Sequence, residues 1–240
     1  MGAVVGVLLA GGGAAGSAPP KSQLTPLASA SGRERAQKEL AGLLKPVRLV
    51  VVTRSAADAG LDEYAVRLAN DVAALSAQVR VETFDLDAAT QQAAALGVAK
   101  APAIVVAGEK DYGVRFYGVP GGGELESLLA AIRRVSEGNS GLSEASRKAL
   151  AALKRPAHIE VLVSLDCRYC PAAVQMAQRL AVESGLVTAD MVEISAFAPL
   201  ADAYGVKVVP KVMVNGRPCF DGSKAEEEFV AAVVRAASQE

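Results

Sequence analysis

Two periods of apolar and polar residues alternate along this chain of 240 residues. From Ser31, "SGRERAQKELAGLL" begins polar and brings Leu40, Leu43 and Leu44 onto a helical stripe near its end. Ser31 and Glu34 have the spacing of a capping box, so the helix is predicted to open there. Pro46 stops it, and "VRLVVV" then has the short continuous apolar run of a buried strand. The pattern returns in "LSEASRKALAALKRPAHIEVLV", where Leu150 and Leu153 mark the helix, Pro156 ends it and "HIEVLV" is the strand.

A second pair of landmarks has nearly the same spacing. "GVAKAPAIVV" and "GVKVVPKVMV" each place Gly-Val ahead of a proline that opens an apolar strand. Pro46 and Pro156 stand 110 positions apart, and Pro102 and Pro210 stand 108 apart. Two independent landmarks at almost one offset indicate a duplicated unit. The second copy is predicted as helix 143–155, strand 159–165, helix 171–183, strand 187–194, a helical connection at 200–204, strands 211–214 and 217–221, and helix 224–237. A strand-helix-strand unit followed by a hairpin and a helix makes an α/β fold, a central mixed sheet flanked by helices. The predicted organisation is a tail over 1–30, a first unit over 31–138 and a second over 139–240. The linker "EGNSG" is short and polar, which predicts neighbouring units rather than tethered ones.

Residues 1–30 depart from both patterns, being rich in Gly, Ala, Ser and Pro. The apolar run from Ala3 to Ala10 is too short to span a membrane, and no positive charge precedes it as in a signal peptide. "LLAGGGAAG" hints at a phosphate loop, but no G-K-[ST] follows. A flexible tail is expected. The 25 basic and 26 acidic residues leave a formal charge of −1, which argues against nucleic acid as a partner. No membrane partner is expected either. His158 is the single histidine, and no G-x-S-x-G motif accompanies it, which restricts hydrolase readings. It is expected near the start of a strand.

The candidate chemistry lies in "DCRYCP", between a predicted strand and a predicted helix. Cys167 falls at the helix N-terminus and Cys170 in its first turn, where Pro171 is tolerated because first-turn N–H groups lack helical partners. Those N–H groups, the positive end of the helix dipole and the nearby Arg168 favour a thiolate. Cys167 would attack a substrate disulfide, and Cys170 would resolve the mixed disulfide. Pro210 opens a strand after Val209, a place that suits a cis bond, and the Val209 backbone is available to pair with a substrate segment. Tyr169 either shapes that groove or covers the sulfurs. Structural zinc is an alternative, with Cys219 and His158 completing a set of four, but their spacing matches no compact zinc motif. Inert packing of the cysteines is another, in which the chain would be a peptide-binding or chaperone-like scaffold.

"SLDCRYCP" with "YGVKVVPKVMVNG" resembles the thioredoxin fold, and its Cys-x-Tyr-Cys form is similar to glutaredoxin. The tandem arrangement resembles the glutaredoxin-like protein disulfide oxidoreductases of thermophilic archaea and bacteria, with two thioredoxin-fold units in one chain. It is also similar to the N-terminal domain of the large, flavin-containing component of alkyl hydroperoxide reductase. The resemblance runs from Gly32 to the C-terminus. It implies two tandem thioredoxin-like domains, a cis Pro210, a nucleophilic Cys167 and a resolving Cys170. It implies a thiol–disulfide oxidoreductase that needs no metal and no cofactor beyond the Cys167–Cys170 disulfide. The implied partners are protein disulfides or thiols, a thioredoxin-reductase-like flavoenzyme and a thiol peroxidase, and the expected compartment is cytoplasmic. Two positions depart from the family pattern. Ala56 and Ala59 stand in the first unit where the second has Cys167 and Cys170. Val161 stands where thioredoxin has a buried acid, and Glu160 beside it should face the other way. Carboxylate assistance is thus absent or comes from elsewhere.

Overall fold

The computed structural model describes Val7–Leu8, residues 19–54 and residues 59–239. Its first elements are β1 (Val7–Leu8), α1 (Lys21–Leu24), a 3-10 turn at Pro26–Ala28 and α2 (Ala30–Glu39). There follow β2 (Val47–Thr53), α3 (Ala59–Ala73), β3 (Val79–Asp85), α4 (Thr90–Ala95), β4 (Ala103–Ala107), β5 (Asp111–Tyr117) and α5 (Glu124–Glu137). The second copy of the pattern gives α6 (Glu144–Leu150), β6 (Ala157–Val163), α7 (Cys170–Glu183), β7 (Val187–Glu193) and α8 (Ala198–Ala203). It ends with β8 (Val208–Val209), β9 (Lys211–Val214), β10 (Arg217–Asp221) and α9 (Glu226–Ala237).

Eight strands among the described residues form one continuous sheet in the order β10-β9-β6-β7-β5-β4-β2-β3. Each half contributes four strands in the same internal order, β3-β2-β4-β5 and β7-β6-β9-β10. The halves meet where β5 and β7 run parallel, with Val114 to Tyr117 opposite Ala189 to Val192. The neighbouring units expected from the linker are therefore fused through backbone hydrogen bonds. The central strands are buried along nearly their whole length, as sheets covered on both faces require. The edges differ. β3 exposes Arg80 and Glu82, and β10 carries Pro218 and a register shift between Pro218 and Phe220.

Side chains opposite one another on paired strands share a sheet face. Val161, Met191 and Phe116 form one such apolar row. Glu160, Asp190 and Arg115 form the adjacent row on the other face, all three buried. α7 packs on β7, β6 and β5, and α5 packs on α7. A helix of the first half thus lies against the helix that follows the cysteines.

The tail expected over 1–30 is corrected for residues 19–30. Leu24 and Leu27 are buried, and the Gln23 carbonyl accepts a hydrogen bond from Gly122 N–H at 3.0 Å. The remaining positions, 1–6 and 9–18, lie outside the described residues. The helix cap also moves. Ser29, not Ser31, sits in extended backbone at the start of α2 and accepts from Gly32 N–H at 3.1 Å. A cap residue must be extended, and the Pro26–Ala28 turn delivers the chain to Ser29 in that form. Gly42, at φ 76°, turns the chain after α2, so Leu40 and Leu43 are buried while Leu44 is 70 % exposed. α6 ends at Leu150, short of the predicted 155, and a turn buries Leu153 instead. Among the described residues, no helix is long and apolar enough to cross a membrane.

Leu27→Ala should cost about 2–5 kcal/mol of stability, as for a buried leucine. Leu44→Ala should stay within about 0.5 kcal/mol, as at an exposed site. Urea denaturation of both variants checks that residues 19–30 belong to the folded core.

Candidate active site

β6 ends at Val163, and the chain turns once before α7. Cys167 N–H closes that turn on the Ser164 carbonyl at 3.1 Å, while Asp166 pairs with the Ser164 hydroxyl. Cys167 and Cys170 are joined in a disulfide with Cα atoms 5.5 Å apart, and both are buried. Cys170 is the first residue of α7, and its N–H lies 3.2 Å from Cys167 Sγ. Cys167 stands just outside the helix, so its sulfur faces the free N–H groups of the first turn. On the other side, Cys167 Sγ lies 3.8 Å from the Val209 carbonyl oxygen. The Val209–Pro210 bond is cis, and the Pro210 carbonyl accepts from Gly222 N–H at 2.7 Å.

The other predicted residues surround this pair. Tyr169 is half-buried and packs on the core. Arg168 is exposed, with its guanidinium carbon 5.2 Å from the Tyr169 ring centroid. The structure therefore brings Cys167, Cys170, Tyr169, Val209 and Pro210 together, with Arg168 stacked at the rim. Among the described residues, Cys219 and His158 do not converge with this pair into a set of four ligands. Cys219 is half-buried on β10, beside an open cavity of about 640 Å3 also lined by Lys224 and Arg235. Burial pushes the Cys219 thiol above its usual range, although Arg235 and Lys224 oppose this.

The first half holds no cysteine, yet its Ala101–Pro102 bond is also cis. Ala56, one counterpart of the cysteines, lies outside the described residues, and Ala59 starts α3.

Sequence reasoning missed Glu124. The run Gly121-Gly122-Gly123 leads into α5 directly against the cysteine turn. A Cβ on Gly122 would come 2.3 Å from the Leu165 carbonyl, and one on Gly123 would come 3.2 Å from Pro171 Cγ and 3.9 Å from the Cys167 carbonyl. Gly122, at φ 51°, has the backbone freedom this approach requires. Glu124 follows immediately, 1 % exposed; Ser127, one turn on, is the side chain that favours its charged form, and burial outweighs it. Burial raises its carboxyl to about 7. The available signal was the run of three glycines, which marks a close backbone approach; nothing local marks the acid after it as buried.

The row on the opposite face forms a separate network. His158 Nε2 lies 2.6 Å from Asp190 Oδ2, Tyr204 donates to Glu160 at 2.7 Å, and Lys100 Nζ is 3.5 Å from Glu160. Among the described residues, His158, Glu160 and Asp190 are the side chains whose ligand atoms converge as a metal would need, and no cysteine joins them. Lys100 pairs with Glu160 and His158 with Asp190, while the second Asp190 carboxylate oxygen is buried without a hydrogen-bond partner. Glu160 therefore faces away from the disulfide, as the alternation along β6 requires.

Comparison with known proteins agrees with this geometry. Residues 157–235 match the family model described as "Thioredoxin domain". The structure is similar to a protein disulfide oxidoreductase from Aeropyrum pernix, with TM-score 0.80 and 29% identity, covering 88% of this chain and 94% of that one. It is similar to the alkylhydroperoxide reductase AhpF of Enterococcus faecalis, solved as a C503A mutant, with TM-score 0.79 and 29% identity. That match covers 85% of this chain and 98% of the other. Among curated proteins, a Bacillus subtilis NADH dehydrogenase is 26% identical over 184 residues, 76% of this chain and 34% of its own length. The alkyl hydroperoxide reductase AhpF of Staphylococcus epidermidis is 27% identical over 121 residues, 50% of this chain and 24% of its own. The chain spans about a third or less of these curated relatives. The molecule is an α/β protein of thioredoxin fold with a disulfide-bonded Cys-x-x-Cys pair at a strand-to-helix junction. Its solved neighbours include a protein disulfide oxidoreductase and the alkylhydroperoxide reductase AhpF.

The single histidine makes one prediction simple to test. Hydrogen bonding to Asp190 raises the His158 pKa above 6.5, against the opposing effect of burial. A raised folded-state pKa stabilises the fold fully below the unfolded value, and that contribution is lost as pH rises through the folded value. Asp190→Asn should bring the His158 NMR titration midpoint down to 6.5 or below, because burial then acts unopposed by that partner. A midpoint unchanged in the variant would show that Asp190 does not hold the proton.

Proposed function

We propose that this chain is a thiol–disulfide oxidoreductase that reduces, forms or exchanges protein disulfides through the Cys167–Cys170 dithiol. The observation that carries the reading is the sulfur environment. Cys167 Sγ lies between the Cys170 N–H at the start of α7 and the carbonyl before cis Pro210. A thiolate there is stabilised by the helix N-terminus, and the Val209 backbone offers a docking edge beside it.

In the reducing direction the Cys167 thiolate attacks one sulfur of a substrate disulfide. A mixed disulfide forms, and the other substrate sulfur leaves as a thiolate. Cys170, once deprotonated, attacks Cys167 Sγ, forms the internal disulfide and releases the second substrate sulfur. Two electrons and two protons pass to the substrate. Glu124 is suited to accept the Cys170 proton, because a buried carboxyl that titrates near neutrality exchanges protons at little cost. It supplies from the first half the carboxylate that Val161 cannot. Tyr169 covers the sulfurs and shapes the docking groove, and Arg168 adds positive charge at its rim.

The chemistry needs no metal and no cofactor beyond the disulfide. Electrons would arrive from a flavoenzyme and leave to protein disulfides or a thiol peroxidase, in keeping with the alkyl hydroperoxide reductase relatives. A cytoplasmic setting suits a pair that cycles rather than remaining oxidised.

Cys167→Ser should abolish dithiol-dependent insulin reduction, while Cys170→Ser should accumulate mixed disulfides visible by mass spectrometry. Full activity in Cys167→Ser would reject the assignment. Glu124→Gln should slow turnover on the order of a hundredfold, the loss expected for a removed proton acceptor. It should also flatten the pH–rate profile around neutrality. A variant with the wild-type profile would remove Glu124 from the mechanism.

A further inference from the structure

β8 ends at the cis Val209–Pro210 bond, and its outer backbone is already paired. Val7 lies opposite Val209, and Leu8 opposite Val208, in antiparallel register. We infer that the Val7–Leu8 segment is an internal pseudosubstrate, occupying the β8 edge where a protein disulfide must dock. The inference rests on reading Cys167–Cys170 as a dithiol that acts on protein substrates.

Position is the first argument. The Val209 carbonyl is 3.8 Å from Cys167 Sγ, so a strand laid on β8 passes beside the reactive sulfur. An incoming substrate strand and β1 need the same N–H and C=O groups of β8. Backbone pairing of this kind is one strand per edge, so the two exclude each other.

Composition is the second. "AVVGVLLA", residues 3–10, contains β-branched and apolar residues and no charge, and suits an extended pairing. It also contains no cysteine, as the three cysteines of the chain are Cys167, Cys170 and Cys219. The segment can occupy the edge but cannot form a mixed disulfide.

Strength is the third. A two-residue ladder is far too short to persist without other support. Covalent attachment changes this, because a segment carried on the same chain competes at an effective concentration on the order of millimolar. The segment then acts as a reversible competitor rather than a plug. Cys167 is 2 % exposed, so a substrate sulfur reaches it only after something moves.

The test uses the full-length protein and Val7→Pro/Leu8→Pro, in which neither position can donate to a ladder. Amide exchange over Val208–Val209 should be several-fold faster in the variant, with its thermal midpoint unchanged. The KM for insulin should fall about two- to tenfold, the range expected when a modest tethered competitor is removed. The turnover number should stay the same. Unchanged exchange would show that the pairing is not there, and faster exchange with unchanged KM would show that it does not compete. Either result overturns the inference. A KM difference that grows with protein concentration would overturn it too, by assigning the contact to a second copy. Absence of insulin turnover in both proteins would instead sink the oxidoreductase reading, and the exchange measurement would still decide the pairing.

Discussion

The parallel pairing of β5 with β7 is the contact on which the rest of the architecture depends. It converts two similar half-sheets into one and sets the first half at a defined height against the second. From that seam, α5 comes to lie on α7, and the glycine run before α5 meets the cysteine turn. Without it, Glu124 would open an ordinary helix in solvent, and its carboxyl would have no reason to titrate near neutrality. The buried acid that follows the glycine run against the cysteine turn is therefore a property of the joined molecule and of neither half alone.

The two sheet faces divide the polar work. On the face of Val161 and Met191 the row across the seam is apolar, and burial raises the proton affinity of Glu124 at the start of α5. On the other face, Glu160, Asp190 and Arg115 lie in one row and are held by Lys100, Tyr204, His158 and Asp111. Charges there are paired, which makes their burial tolerable and leaves them little chemistry to do. The same residue type is ion-paired on one side of the sheet and, at Glu124, buried with a raised proton affinity on the other.

Much of this was legible in the residues. The duplicated prolines and apolar strands revealed the repeat because they answer to short-range rules, namely strand period and helix termination. "DCRYCP" revealed the redox pair because thiolate stabilisation needs only a strand-to-helix junction and the right spacing. What the residues concealed depends on long-range placement. Glu124 carries no local mark of burial, since any acid at a helix start reads as a favourable dipole partner. Residues 19–30 look like a tail because Leu24 and Leu27 stand among small and polar neighbours. Their burial is decided by α3, which packs on the Pro26–Ala28 turn, and by the glycine loop that donates to Gln23, both farther along the chain.

The seam between the halves joins the last strand of one unit to the second strand of the next. Such a junction is head-to-tail, and repeated from molecule to molecule it would have no natural end. A free β10 of one copy stands in the place of β5, and a free β3 of another stands in the place of β7. The two outer strands differ from their internal counterparts in ways that block that step. Pro218 removes a donor from β10, its bulge bends the ladder, and Arg80 and Glu82 place charge along β3. Edges marked in this way disfavour continuing the sheet from copy to copy, so the duplication that enlarged the sheet also left it with ends unlike its middle.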